Sequence, residues 1–322
     1  MKVDYSEVIS LINEESSFYI VSHYLPDGDS VGSALALALS LIQNGKNVNV
    51  YCRDSVPVKY KFLDKGKVIS TNYPEPDKES ILLVLDCSDF SRTGISEKTK
   101  TIFKKIVNID HHVTNDYFAD VNLVDPDASA TGEIIFEIIN RAGFSMNDDI
   151  ANSLYVSIST DTGSFKYENT TSKTHKIVAE LLEYEVNSSV ISQLVFDEKP
   201  LSYFLILKKA LSTLELFEKG KIASITLNNE TLMQEGADIE VIDGIVNYAK
   251  NIADVEVGII FYIAGENEIK VGLRSKNADV SEIAGKFNGG GHVRAAGFRA
   301  KGNYPEIKEK TIKSAIRLIS NM

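Results

Sequence analysis

Short apolar runs alternate with longer amphipathic stretches over about the first 180 residues, a grammar that predicts strands alternating with helices. A short helix over 6–15 is followed by a strand from Phe18 to Ser22 and an alanine- and leucine-rich helix from Val31 to Gln43. Asn44-Gly45 stops that helix, and Val48 to Cys52 reads as a second strand. Beyond a turn-rich stretch with Pro57, Pro74 and Pro76 come three more apolar runs, Ile81 to Leu85, Lys105 to Ile109 and Leu154 to Ile158. Runs of this kind mark strands buried on both faces of a parallel sheet. Between them lie helical segments, notably Thr131 to Arg141, opened by Ser129 and closed by Gly143. The pattern predicts an α/β fold with a doubly wound parallel sheet in the N-terminal domain, residues 1–186.

From 187 to 216 the pattern is helical, broken by Pro200, and reads as a linker. Residues 217–322 read as a second, smaller α+β domain. Its expected elements are a strand Lys221 to Leu227, a helix Glu240 to Ile252 and a hairpin of Val255 to Ile263 with Glu268 to Leu273. A helix Val280 to Phe287, the glycine run Asn288 to His292, a strand Ala296 to Ala300 and a helix from Pro305 complete it.

Of the 322 residues, 43% are hydrophobic and 25% charged, the balance of a soluble globular protein. No apolar run approaches the ~20 residues of a membrane helix, and no export signal opens the chain. With only Cys52 and Cys87, not in a CxxC arrangement, a cytoplasmic location without a disulfide framework is expected. A net charge of −11 argues against wrapping long duplex nucleic acid and favours small substrates.

The chemistry gathers where the expected strands end. There the chain carries His23, Asp27 and Asp29, then Asp86, then Asp110, His111 and His112, then Asp161. Parallel strands would deliver all four clusters to one rim, where ligands of open α/β sheets bind. If the turn after His23 stays extended, Asp27 and Asp29 emerge on one side roughly 7 Å apart, a spacing suited to two neighbouring cations. A lone Asp at such a position is more often a helix cap or turn former, with Asp29 or Ser30 the candidate N-cap here. Four such clusters, two of them with histidine, outweigh that reading. Oxygen and imidazole ligands without thiolate favour two Mn²⁺ ions, with Mg²⁺ an alternative, and Asp86 is the natural bridge. A site of that kind suits phosphoester hydrolysis.

His23-x-x-Pro-Asp27-Gly-Asp29-Ser-x-Gly-Ser33, Leu85-Asp86, Asp110-His111-His112 and Thr160-Asp161-Thr-Gly resemble, in order, the four motifs of the DHH phosphoesterase superfamily. Gly289-Gly290-Gly291-His292, with Gly272-Leu-Arg274-Ser275 upstream, resembles the DHH-associated domain, and among its members the chain looks most like the nanoRNases. The resemblance implies that His23 and Asp27 hold one ion, Asp29, His111 and Asp161 the other, and Asp86 both. It implies a catalytic role for His112 beside the substrate phosphate, Asp110 orienting the neighbouring imidazoles, and Arg274 as a phosphate fork. Ser275, the three glycines and His292 complete the implied substrate cradle, in a cleft between the domains. Arg294 has no assigned role.

The implied activity is hydrolysis of short RNA to nucleoside 5′-monophosphates and of 3′-phosphoadenosine 5′-phosphate (pAp) to AMP, with a hydroxide shared by the ions as nucleophile. A phosphodiesterase of cyclic or linear dinucleotides such as c-di-AMP or pApA needs the same residues and stays open, as does a homodimer. A non-catalytic nucleotide- or RNA-binding module would be expected to have lost a ligand, and none is lost. Bland readings are kept for His175 as a surface residue and Cys87 as a buried thiol, while Tyr24 and Phe165 are core aromatics that could instead stack a base.

Overall fold

The computed structural model describes residues 3–73, 75, 77–237 and 244–322. Its first unit, Met1–Glu198, is built on strands β1 (Ser17–Val21), β2 (Asn47–Tyr51), β3 (Ile69–Ser70), β4 (Ile81–Leu85), β5 (Lys105–Asp110) and β6 (Val121–Val124). All pair in parallel, in the order β3-β2-β1-β4-β5-β6. That order reverses between β1 and β4, which opens a crevice at their carboxyl ends. Every residue of β4 is buried. Ile81, Leu83 and Leu85 join the larger core beneath helices α1 (Ser6–Glu14) and α2 (Gly28–Gln43), while Leu82 and Val84 pack with Phe90, Ile95 and Phe103 on the other face, next to the short α3 (Glu97–Lys100).

Helix α2 starts at Gly28, three residues before the expected Val31. Asp27 caps it, accepting from the Ser30 N–H at 3.0 Å while its own N–H donates to Ser30 Oγ at 2.9 Å. The turn is therefore not extended, and Asp29 lies in the first helical turn. Helix α4 (Thr131–Arg141) has the expected bounds, but Ala130 occupies the cap and Ser129 instead donates to Glu133 Oε1.

A second difference concerns Leu154 to Ile158, expected as a strand but found inside helix α5 (Asp148–Asp161). Helix α5 packs on α2, on α4 and on α6 (Ser172–Leu181), so it is buried all round and its apolar run carries no helical period. The start signals were present: Asn147 accepts from the Ile150 N–H, and Asp148 and Asp149 fill the first turn. Close approach depends on glycine. A Cβ on Gly28 would meet Thr160 at 2.4 Å, and one on Gly32 would meet the Ser153 carbonyl at 2.4 Å.

After α7 (Ser188–Ser192) comes the second unit, Lys199–Met322. Segment 187–216 is shared: Ile191 and Val195 lie in the core of the first unit, and Tyr203, Ile206 and Ala210 of α8 (Leu201–Ser212) in a core of the second. The second sheet contains β7 (Glu215–Phe217), β8 (Ile222–Asn228), β9 (Val257–Gly265), β10 (Glu268–Ser275), β11 (Gly290–His292) and β12 (Ala295–Lys301), in the order β11-β12-β10-β9-β8-β7. Only β8 and β9 are parallel within it among the described residues. Helices α8, α9 (Asn229–Gln234) and α10 (Ile245–Lys250) flank one face, and α11 (Ser281–Lys286) and α12 (Tyr304–Ser320) the other. The expected start of the helix at Glu240 lies outside the described residues, as do Pro74 and Pro76. The glycine run ends in edge strand β11.

Candidate active site

The crevice between β1 and β4 receives His23 from one strand end and Asp86 from the other. Nδ1 of His23 donates to the Tyr24 carbonyl at 2.9 Å, which turns Nε2 toward the crevice. There it lies 3.7 Å from Asp27 Oδ1 and 3.5 Å from Asp86 Oδ2. His111 repeats the device: Nδ1 donates to the Ala128 carbonyl at 3.2 Å. Its Nε2 lies 3.6 Å from Asp161 Oδ2, 3.7 Å from Asp29 Oδ2 and 3.8 Å from Asp86 Oδ1. These separations exceed hydrogen bonds but fall inside the ~4.2 Å spanned by two ligands of one ion at ~2.1 Å each.

Among the described residues three groups have ligand atoms close enough to share an ion: His23 with Asp27 and Asp86, Asp29 with His111 and Asp161, and Asp86 with His111 and His112. Asp86 faces both histidines, with a different oxygen to each. It occupies the left-handed region at φ 57°, a conformation more accessible to Asp than to most residues. Its N–H donates to the Ile109 carbonyl at 3.0 Å, and Thr131 Oγ1 donates to its Oδ1 at 3.2 Å, which hold it there.

Asp29 is only 2% exposed. Its Oδ1 accepts from Ser33 Oγ, Ser157 Oγ and the Gly132 N–H, and its Oδ2 from the Thr131 N–H. Asp161, the last residue of α5, is held by Asn169, which donates to its carbonyl and to the Ser129 carbonyl. Burial raises the Asp29 pKa well above the carboxylate range, helped by the charge of Asp86, and burial raises Asp161 to about 6. Burial opposes the charge on His23, but Asp27 and Asp86 outweigh it and raise that imidazole to about 10. Four mutually repelling carboxylates, two imidazoles presenting Nε2 and outer lone pairs tied to N–H and O–H donors form a ligand set that fits two divalent cations.

His112 lies beside this cluster, half-buried, with Nδ1 at 2.7 Å from Asp110 Oδ1, and this hydrogen bond raises its pKa to about 9. The expectation that Asp110 orients both imidazoles is corrected: it holds His112 alone, and a backbone carbonyl holds His111. Asp110 is itself fixed by Asn115, whose amide donates to Asp110 Oδ2 at 2.6 Å and to Asn108 Oδ1 at 2.7 Å. Asn108 in turn donates to the carbonyls of Val84 and Cys87. Sequence reasoning missed Asn108, Asn115, Ser157 and Asn169. The first had a signal, a polar amide inside the buried run Ile106 to Ile109, which must find partners.

In the second unit Arg274 is half-buried on β10, Gly290, Gly291 and His292 form exposed β11, and Gly289 precedes them. Gly291 has φ 139°, and a Cβ there would meet the Ala295 carbonyl at 2.5 Å. Ser275 does not join this group. Strand alternation turns it to the opposite face, where it is buried and donates to the Ala278 carbonyl. Arg294 is exposed, and its carbonyl accepts from the Ser275 N–H. His175 is exposed on α6 and Cys87 is buried in the smaller core. Phe165 packs against Tyr155, and the Tyr24 ring carries the Arg53 guanidinium at 5.5 Å.

A switch-point crevice that converges carboxylates and imidazoles in this way defines a metal-dependent phosphoesterase. Residues 17–158 match the model of the DHH family, N-terminal domain, and residues 220–321 match the DHHA1 domain. The chain belongs to the DHH phosphoesterase family. A Thermus thermophilus protein named bifunctional oligoribonuclease and PAP phosphatase NrnA is 32% identical over 97% of this chain and 92% of its own. The Bacillus subtilis protein of the same name is 28% identical over 91% and 92%. In fold, the chain is similar to the crystal structure of an exopolyphosphatase-related protein from Bacteroides fragilis, with a TM-score of 0.87 at 26% identity, covering 97% and 96% of the two chains.

Proposed function

We propose that the chain is a Mn²⁺-dependent hydrolase, with Mg²⁺ as the alternative ion, that converts short RNA oligonucleotides to nucleoside 5′-monophosphates and pAp to AMP. The observation that carries the reading is Asp86, buried and placed with one oxygen toward His23 and the other toward His111. Two bound ions would lower the pKa of a water and neutralise charge on a phosphoryl oxygen. His23 and Asp27 would hold one, Asp29, His111 and Asp161 the other, and Asp86 both.

His112, kept protonated by buried Asp110, offers a charged donor for an oxygen of the scissile phosphate. In the second unit Arg274, the glycine run and His292 hold another phosphate of the same substrate. Short substrates fit the net charge of −11, which leaves phosphate recognition to local groups. The NrnA names of two relatives that align along nearly the whole chain support the substrate class. Two free, buried thiols suit the cytoplasm, and among the described residues no helix is long and apolar enough to cross a membrane.

The test is an assay of the pure protein with Mn²⁺ on RNAs of two to five nucleotides, on pAp and on c-di-AMP. Release of monophosphates and of AMP is expected. Failure on both RNA and pAp, with turnover of c-di-AMP alone, would replace this reading with a cyclic-dinucleotide phosphodiesterase.

A further inference from the structure

Helix α4 begins without a side-chain cap. Ala130 holds the cap position, which leaves the first-turn N–H groups of Thr131 and Gly132 to find other acceptors, and both donate to Asp29, at 2.8 Å to Oδ2 and 3.2 Å to Oδ1. The rest of segment 128–132 is committed to the same cluster. The Ala128 carbonyl accepts from His111 Nδ1, the Ser129 carbonyl accepts from Asn169, which also holds the Asp161 carbonyl, and Thr131 Oγ1 donates to Asp86. One short segment thus reaches Asp29, His111 and Asp161, the ligands assigned to one ion, together with the bridge. Among the described residues neither His23 nor Asp27 hydrogen-bonds to it; the Tyr24 carbonyl and Ser30 hold those two.

With no cap to fix the start of α4, that task falls to Glu133. It is fully buried, and its Oε1 accepts from Ser129 Oγ at 2.5 Å and from Thr174 Oγ1 of α6 at 2.6 Å. Its Oε2 accepts no hydrogen bond from a described residue, and Lys173 Nζ lies 3.9 Å from it. A carboxylate taken out of water for two hydroxyls and one distant ammonium is costly to bury. The return is geometric, because Glu133 ties the start of α4 to α6 across 41 positions.

We propose that Glu133 is a positioning residue of the metal centre, anchoring segment 128–132 through Ser129 and so setting Asp29, His111 and Asp161 for one of the two ions. The inference rests on the two-ion reading of the crevice and is independent of the substrates. Glu133 touches no ligand, so it acts on the affinity for that ion and not on the reacting atoms.

The test reads metal binding, which stands apart from turnover. Full-length protein freed of metal is titrated calorimetrically with Mn²⁺. Glu133→Met should weaken one of two binding events about 10–100-fold and the other by no more than about twofold. Glu133→Gln keeps an acceptor for both hydroxyls and should restore most of the loss. Two backgrounds identify the weakened ion. Asp27→Asn preserves the α2 cap while removing a charge from the other ion, and there the loss should persist. In Asp161→Asn, where the affected ion is already weakened, Glu133→Met should add little. Melting curves report folding, and Ser129→Ala, a milder cut of the same link, carries the same test if the methionine variant does not fold. Equal weakening of both ions would make Glu133 a structural residue only and overturn the proposal, as would unchanged affinities in the folded variants. Selective weakening in a protein that hydrolyses neither RNA nor pAp would refute the proposed function and leave the positioning role standing.

Discussion

Gly32→Ala isolates the packing that builds the metal cluster. Gly32 lies on α2, where an added Cβ would meet the Ser153 carbonyl at 2.4 Å, Ser157 Cβ at 2.8 Å and the Ser157 N at 2.9 Å. Ordinary contact begins near 3.4 Å, so α5 must retreat by about 1 Å, and backbone atoms cannot rotate aside. Overpacking of this kind costs about 2 kcal/mol, or about 4–8 °C in Tm for a unit of this size. The same retreat draws Ser157 Oγ from Asp29 Oδ1 and carries Asp161 away from His111 Nε2, now 3.6 Å distant. Loosened ligand positions should weaken Mn²⁺ binding by about 10–100-fold. Melting of the chelated protein and calorimetric titration with Mn²⁺ read the two effects separately. A variant with wild-type Tm and wild-type affinity would show that α2 and α5 do not cross at this glycine, and the placement of Asp161 would fall with it.

The histidines give a pH signature. His23 is raised from 6.5 to about 10 and His112 to about 9. The folded metal-free protein thus binds protons that the unfolded chain releases, so their contribution is complete below pH 6.5 and lost as pH rises toward 10. The Tm of chelated protein should fall over that window while the Mn²⁺-loaded protein holds its Tm through pH 9; parallel curves would contradict the assignment. Asn115→Leu leaves Asp110 Oδ2 and Asn108 Oδ1 without their donor in a buried setting, so His112 loses its fixed orientation. Steady-state kinetics on a dinucleotide RNA should show kcat reduced about 10–100-fold with KM within about threefold, and an unchanged kcat would remove His112 from the chemistry.

The residue pattern revealed the strands best where burial is two-sided and the run is short, as at Ile81–Leu85, whose observed bounds match those expected. It also revealed most of the cluster, because aspartates and histidines at strand ends are chemically conspicuous. It misled at Leu154 to Ile158, since a helix buried between other helices has no polar face and its five central residues look like a strand. Asp161 nevertheless reaches the rim, delivered by the end of a helix. The start of α2 was misplaced because the cap, Asp27, was also a candidate ligand, and one side chain does both. Asn115 and Ser157 were invisible for different reasons: Asn115 lies in a loop with no period to mark it, and Ser157 acts on Asp29 across 128 positions. Ser275 was misjudged by adjacency, since neighbours along a strand point to opposite faces.

The central claim is that Asp86 stands between two cations. Anomalous diffraction at the manganese edge from crystals grown with Mn²⁺ tests it most directly. Two peaks per chain are predicted, about 3.5–4 Å apart, one among His23, Asp27 and Asp86 and the other among Asp29, His111, Asp161 and Asp86. A single peak, or a pair in which Asp86 touches one ion only, would contradict the account.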